Sequence, residues 1–215
     1  MSPPSDPPPS SSPWRTPAVH LTEPRRTERL ILRLFTIGDL EAVYDMQSRP
    51  EVARYLYWSP RDRNGAAESL REKLKCTSIE VEGDILNLAV ARARGGPVIG
   101  DMMLHYVSAS HRQAEVGYIL HPDAQGEGLA TEATRAIVDL AFRELGVHRV
   151  FGQIDARNTA SARVLERVGM RREAHLVENE WVKGEWTDEV IYAVLADEWA
   201  RPATGTTSPA PTNLG

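Results

Sequence analysis

Apolar residues recur along this chain in two rhythms, and the order of the rhythms predicts its elements. Arg29-Leu-Ile-Leu-Arg-Leu-Phe35 is dense in branched and apolar side chains and reads as a first strand. Thr36-Ile37-Gly38-Asp39 is a turn able to cap a helix. Leu40, Val43, Tyr44 and Met46 then follow near helical spacing, and Pro50 ends the run. Glu51 to Tyr57 reads as a short helical piece stopped by Trp58-Ser59-Pro60. Arg63 to Ser78 reads as a further helix with Ala67, Leu70 and Leu74 on one side. The period then drops to two. Asp84 to Ala93 and Val98 to Val107 form a hairpin about Arg94-Gly95-Gly96-Pro97, and Gln113 to Leu120 completes an antiparallel meander.

Helical spacing returns with Ala133, Ala136, Ile137, Leu140, Ala141 and Leu145, closed by Gly146. Val150 to Ile154 is a short strand. Strand, helix and strand at this length make a βαβ unit, so this strand and Gln113 to Leu120 are expected to run parallel. Asn158 suits an N-cap, Ser161, Val164, Leu165 and Val168 form the stripe of the next helix, and Gly169 ends it. Arg171 to Val182 and Thr187 to Leu195 are strands joined by Lys183-Gly184-Glu185-Trp186. The order β-α-α-β-β-β-α-β-α-β-β implies an α/β fold, a mixed sheet with helices on its faces.

Composition trims this picture at both ends. Residues 1–24 and 202–215 are rich in Pro, Ser and Thr and poor in large apolar side chains, and are expected as disordered tails. One folded domain is expected over residues 25–201 of the 215. A formal net charge of −5 gives no broad basic surface, so nucleic acid is not expected as a direct partner. No apolar run is long enough to span a membrane and no signal peptide is visible; with the single cysteine, Cys76, this suggests a reducing, cytoplasmic setting. Cys76 lacks a nearby His or basic cluster and reads as filler. The His residues show no metal-ligand spacing, so no metal is expected, and His105, His111 and His148 read as surface or packing residues.

The candidate chemistry lies between the meander and the helix after it. His121-Pro-Asp-Ala-Gln125-Gly-Glu-Gly128-Leu-Ala-Thr131 is a Gly-rich loop from strand to helix start. Unpartnered N–H groups and the helix dipole make such a loop an anion site, usually for phosphate. Pro122 cannot donate to a ladder, so pairing should fail near it and free the backbone of Ile119 to His121 for an extended ligand. Gly126-x-Gly128 also resembles a dinucleotide loop, but Thr131 replaces the third Gly and the unit comes after a meander.

Gln125-Gly126-Glu127-Gly128-Leu129-Ala130 resembles the Q/R-x-x-G-x-G/A signature of the GNAT acyltransferase superfamily, and the element order is similar too. Glu115-Val-Gly-Tyr-Ile-Leu120, Asn158-x-x-Ser161-x-x-Val-Leu-Glu166-x-x-Gly169 and Tyr192-x-x-Leu195-x-x-Glu198-Trp199 resemble the RimJ/RimL branch of ribosomal-protein N-terminal acetyltransferases. The resemblance covers roughly Thr27 to Trp199, and Met170 departs from it where an aromatic is common. It implies a GNAT fold: a mostly antiparallel sheet of six to seven strands with a central splayed parallel pair. It implies acetyl-CoA or another acyl-CoA as co-substrate and an amine acceptor, such as a protein N-terminus, a Lys or a small amine. It also implies a possible homodimer.

Carried over residue by residue, the resemblance puts backbone groups of Ile119, Leu120 and His121 on the pantetheine arm. Gln125, Gly126, Glu127, Gly128, Leu129, Ala130 and Thr131 fall on the pyrophosphate. Asn158 falls on the arm or a catalytic water, Ser161 where some relatives place a general acid, and Glu115 where many carry a general base. Each has a plain alternative: Asn158 a helix cap, Ser161 a first-turn residue, Glu115 a solvated edge carboxylate. The chemistry suits these roles. A protonated amine needs a base before it can attack a thioester, and a backbone N–H near Leu120, freed by a bulge, can meet the charge that develops. For the acceptor, Trp58, Trp181 and Asp188, with Tyr55, Tyr57, Glu180 and Trp186, offer aromatics and carboxylates for a cationic amine, although Trp181 and Trp186 can instead simply pack the hairpin. An aminoglycoside-type acetyltransferase and a non-catalytic acyl-CoA-binding module are the alternative functions.

Overall fold

The computed structural model describes residues 18–200. Ten strands and six α-helices follow in chain order. They are β1 (Val19–His20), β2 (Arg25–Arg26), β3 (Leu30–Leu34), α1 (Leu40–Gln47), α2 (Pro50–Ala53), α3 (Arg63–Lys73), β4 (Ser78–Ile79), β5 (Ile85–Arg92), β6 (Val98–Ser108), β7 (Gln113–Leu120), α4 (Leu129–Arg143), β8 (Arg149–Asp155), α5 (Thr159–Val168), β9 (Arg171–Val182), β10 (Glu185–Leu195) and α6 (Ala196–Trp199).

Eight strands form the main sheet in the order β2-β3-β5-β6-β7-β8-β10-β9. That is one more than the expected six to seven, because Arg25–Arg26 pairs with Ile31 and Leu32 at the edge. Every neighbouring pair is antiparallel except β7 and β8. Their parallel pairing covers only Gln113↔Arg149, Ala114↔Val150 and Glu115↔Phe151. Beyond it β7 runs on to Leu120 and β8 to Asp155, so the two strands part where the resemblance implied a splay.

A period of two buries both faces. Leu88 and Val90 of β5 join the larger core with Ile137, Leu140 and Ala141 of α4 and Leu165 and Val168 of α5. Ala89, between them, joins the smaller core with Phe35, Val43 of α1 and Ala66 and Leu70 of α3. Helices therefore cover opposite faces, α4 and α5 on one and α1 and α3 on the other. The second face also holds a buried ion pair between Lys73 of α3 and Asp101 of β6.

Several boundaries differ from expectation. The last turn, expected as Lys183 to Trp186, is only Lys183–Gly184, because Glu185 and Trp186 pair with Val182 and Trp181, and the helical piece expected over Glu51 to Tyr57 is α2, which ends at Ala53. The N-terminal tail was expected to reach residue 24, but Val19 is buried in the larger core, and β1 pairs with β4. That pairing also ends α3 at Lys73 rather than Ser78, since Ser78 and Ile79 are drawn into the small sheet. Pro50 does not merely stop α1; it opens α2, where its fixed φ and missing N–H suit the first turn. Residues 1–17 and 201–215, the rest of the expected tails, lie outside the described residues. Cys76 sits beyond α3, half-buried, and burial pushes its thiol up.

Candidate active site

β7 divides the site. In an antiparallel ladder, hydrogen-bonded pairs recur at every second residue. The His121 N–H donates to the Ile99 carbonyl at 2.8 Å, in line with the pairs Ile119↔Asp101, Gly117↔Met103 and Glu115↔His105. The backbone of these odd-numbered residues is thus turned to β6, and that of Val116, Tyr118 and Leu120 to the β8 side. The Gly152 position of β8 confirms the direction, because a Cβ there would lie 3.3 Å from the Val116 carbonyl. Of the three backbone positions expected to face the gap, only Leu120 does. Ile119 and His121 are turned away by the period of two, and Tyr118 takes a place instead. No bulge frees the Leu120 N–H; the only β6–β7 register shift lies between Tyr106 and Ser108. The splay frees it. The Leu120 carbonyl accepts from Gln125 Nε2 at 3.1 Å, which ties the strand end to the loop.

After Leu120, Pro122–Ala124 makes one 3-10 turn. His121 Nδ1 accepts from the Asp123 N–H at 3.2 Å, so its Nε2 carries the proton that faces Asp45 at 3.1 Å. The Gly-rich loop then turns at Gly126 (φ 80°) and Gly128 (φ 78°), left-handed conformations that glycine takes without strain. The first backbone bond into α4 is Glu132 N–H to the Gly128 carbonyl, so the N–H groups of Leu129, Ala130 and Thr131 have no helical acceptor.

Two arginines outside the loop brace it. Arg29 donates to the Glu127 carbonyl at 2.8 Å and to the Glu132 carboxylate at 2.6 Å, and Arg92 holds the Glu127 carboxylate through both its terminal nitrogens. The Arg92 hydrogen bonds hold the Glu127 carboxyl below its usual range. Glu127, expected at the pyrophosphate, is therefore anchored outward, its carbonyl taken by Arg29 and its carboxylate by Arg92.

A groove of about 430 Å³ runs from Leu120 along this loop to the first turns of α5. Its size lies within the usual range for small-ligand sites. Gln125, Gly126, Gly128, Leu129, Ala130, Thr131, Asn158 and Ser161 line it, with Val52, Tyr55 and Leu56 opposite. Two observations fit a coenzyme pyrophosphate here. A Cβ at Gly126 would meet nothing within 4 Å, which leaves room at the backbone, and the buried Thr131 hydroxyl has no hydrogen-bond partner.

Asn158 caps α5, its Oδ1 accepting from the Ser161 N–H at 3.1 Å, so the plain reading of this residue is realised even as it lines the groove. The Tyr118 hydroxyl donates to the Ser161 carbonyl at 3.0 Å, and burial pushes that phenol up. Arg163 and Arg167, one turn apart on α5, add positive charge to the groove rim. Sequence reasoning passed over Tyr118, Arg163 and Arg167; the stripe from Asn158 through Ser161 and Val164, extended by one turn, points to Arg167.

A family model described as an acetyltransferase (GNAT) domain matches residues 29–171. The chain belongs to the GNAT acetyltransferase family. It is 30% identical over 184 residues to the uncharacterized N-acetyltransferase YnaD of Bacillus subtilis (strain 168), covering 84% of this chain and 99% of that one. It is 24% identical to a spermidine N(1)-acetyltransferase of Vibrio cholerae, over 80% of this chain and 95% of that protein. The crystal structure of a GNAT-family acetyltransferase from Bacillus anthracis superposes with a TM-score of 0.73 at 27% identity, covering 82% of this chain and 100% of that one.

The other face of the GNAT sheet carries the carboxylates. Glu115 points away from α4 and α5, and its Oε2 lies 3.7 Å from Nδ1 of His105, its register partner. Burial pushes the Glu115 carboxyl up, against an opposing pull from His105. Glu189 of β10 lies on the same face, 5% exposed, and accepts from Asn179 at 2.7 Å. Burial and the neighbouring Glu180 raise its carboxyl too. The Tyr57 hydroxyl donates to Glu180 at 2.7 Å, and Lys183 donates to the Ala53 carbonyl at 2.5 Å, so the last hairpin is fastened to the segment after α2.

The expected acceptor residues divide. Asp188 is engaged elsewhere: its two oxygens take the Glu178 N–H at 2.9 Å and His175 Nε2 at 2.7 Å, holding a β-bulge in which Glu178 has φ 49°. Trp58 lies under Arg61, 4.8 Å from guanidinium to ring centroid. Trp181 and Trp186 pack edge to face at 5.4 Å yet stay 62% and 56% exposed. Glu189 and His105 were missed. The signal for Glu189 was present: a carboxylate two residues from Thr187 and two from Ile191, at the start of an apolar strand. Among the described residues no group of three or more His, Cys, Asp or Glu side chains is placed to hold a metal, and no helix is long and apolar enough to cross a membrane.

Proposed function

We propose that this acetyltransferase moves an acetyl group from acetyl-CoA directly to a primary amine of a small polycation such as a polyamine. One observation carries the choice of acceptor: Glu115, Glu180 and Glu189, with the Tyr57 phenol, gather on the sheet face opposite the coenzyme groove. Buried carboxylates are costly unless a cation meets them. The spermidine acetyltransferase among the relatives is consistent with that class.

In this reading Glu115 takes the proton of the ammonium group, and its raised pKa brings it nearer to working pH. The Leu120 N–H donates to the thioester carbonyl oxygen as charge builds there. The loop Gln125–Thr131 receives the pyrophosphate through Gly126, Gly128 and the helix N–H groups. Ser161 relays the second proton of the attacking nitrogen, giving its hydroxyl proton to the departing sulfur as it takes one from the nitrogen. A second reading, acetylation of a protein N-terminus, draws on the segments similar to the RimJ/RimL branch.

The deciding experiment incubates the purified protein with acetyl-CoA and a panel of amines, and follows release of free thiol. The panel holds linear polyamines, aminoglycosides, Lys peptides and peptides with free N-termini. Turnover is expected with polycationic amines. Turnover with N-terminal peptides alone would select the second reading, and silence across acetyl and succinyl donors would sink both.

A further inference from the structure

The chemistry sets a requirement on Glu115. The acceptor arrives as an ammonium ion and leaves as an amide, so its nitrogen loses two protons. One ends on the coenzyme sulfur, and the other must reach water. Glu115 is placed to take the second proton, but its side chain is 24% exposed and it must be emptied before the next turnover.

We propose that His105 accepts this proton from Glu115 and passes it to solvent. The proposal rests on the reading of Glu115 as the base. His105 lies directly across the β6–β7 ladder from Glu115, so both side chains leave the sheet on the same face. Its Nδ1 is 3.7 Å from Glu115 Oε2, a small side-chain rotation from hydrogen-bond range, and catalytic contacts of this kind often tighten only when substrate is bound. Its ring is 30% exposed, more open than the carboxylate it faces. An imidazole exchanges protons with water near neutral pH.

The other groups around Glu115 are poorly suited. Glu189 on β10 is buried and held by Asn179, and Tyr57, from the segment after α2, donates its hydrogen bond to Glu180 of β9. The step balances: the ammonium N–H bond breaks as Glu115 gains a proton, Glu115 yields it to neutral His105, and His105 yields it to water. His105 acts through Glu115 and is a positioning residue, not a catalytic one.

The test compares His105→Gln, His105→Asn, Glu115→Gln and the double variant His105→Gln/Glu115→Gln, using thiol release across the neutral pH range. Calorimetric binding of acetyl-CoA reports whether each variant keeps its fold. The His105 variants are expected to lose roughly tenfold or more in kcat, to bind acetyl-CoA unchanged, and to recover in part with added imidazole. The double variant is expected to be no slower than Glu115→Gln alone. A His105→Gln enzyme with the parent pH profile, beside an impaired Glu115→Gln, would overturn the relay. So would a double variant whose losses multiply. Full activity of Glu115→Gln would instead remove the base assignment on which the relay depends.

Discussion

Glu115 and Asp188 are both carboxylates on sheet strands, and their surroundings send them to different work. Glu115 has no hydrogen-bond donor on it closer than His105 at 3.7 Å among the described residues, and burial raises its pKa. In the proposed reaction its deprotonated form is the base, so kcat/KM should fall as pH drops through a value above the ordinary carboxylate range of about 4.3. Glu115→Gln should lower kcat by about 100-fold or more while leaving acetyl-CoA affinity unchanged in calorimetry; a loss below tenfold would remove Glu115 as base. Asp188, by contrast, has both oxygens engaged by the bulge, so its contribution is to hairpin shape.

Asp39 shows the opposite shift. Burial disfavours its charge, but the bidentate Arg33 at 2.7 and 2.8 Å and the Thr36 N–H at 2.7 Å outweigh that and hold the carboxyl below its usual range. A depressed folded pKa means stability is present above the unfolded value of about 3.9 and is lost as pH falls through the folded one. Asp39→Asn should therefore lower the denaturation midpoint at neutral pH and flatten its fall in acid. An unchanged acid limb would show that the Arg33 pair does not drive it.

At the scale of elements, the glycine loop works because its conformation is set before any ligand arrives. Gly128 has φ 78°, and a Cβ there would sit 3.7 Å from Arg29 Nη2, so space is adequate and only the backbone objects. Gly128→Ala should cost about 1–2 kcal/mol in the left-handed conformation, and acetyl-CoA binding should weaken by roughly five- to thirtyfold as the relaxed loop is pulled back. Unchanged affinity would mean that the loop does not hold the coenzyme in this shape.

This loop, β7, α4 and α5 were legible in the sequence because their signals are local: a period, a cap, a pair of glycines. What escaped was set by partners distant in sequence. Two-residue strands such as Val19–His20 exist only because Ser78–Ile79 lies beside them. Glu127 looked like a ligand contact until Arg92 was found on it, and His105 looked inert until the register put Glu115 opposite. The hairpin contacts of Asp188 escaped for the same reason, since its bulge is a property of two strands together.

At the scale of the molecule, the eight-stranded sheet is two sheets that meet along a seam of three residue pairs, Gln113, Ala114 and Glu115 against Arg149, Val150 and Phe151. α4 and α5 pack one face and hold the coenzyme groove, and the carboxylates occupy the other. β7 is the partition. In the proposed reaction the acyl group passes from one side to the other where the partition's neighbour has turned away, between Val116 and Leu120.

The same parting writes a pattern into the exchange of amide hydrogens with heavy water. Along β7 the odd-numbered amides are tied to β6 whatever the ligand, while those of Tyr118 and Leu120 face open space until a coenzyme pairs with them. In the free protein, deuterium should enter at Leu120 well before His121, although the two are adjacent. Saturating CoA should slow Tyr118 and Leu120 and leave His121 as it was. Equal protection at Leu120 and His121 without ligand would mean that the strands are closed in solution. A single strand would then carry, residue by residue, a record of which of its edges is waiting for a partner.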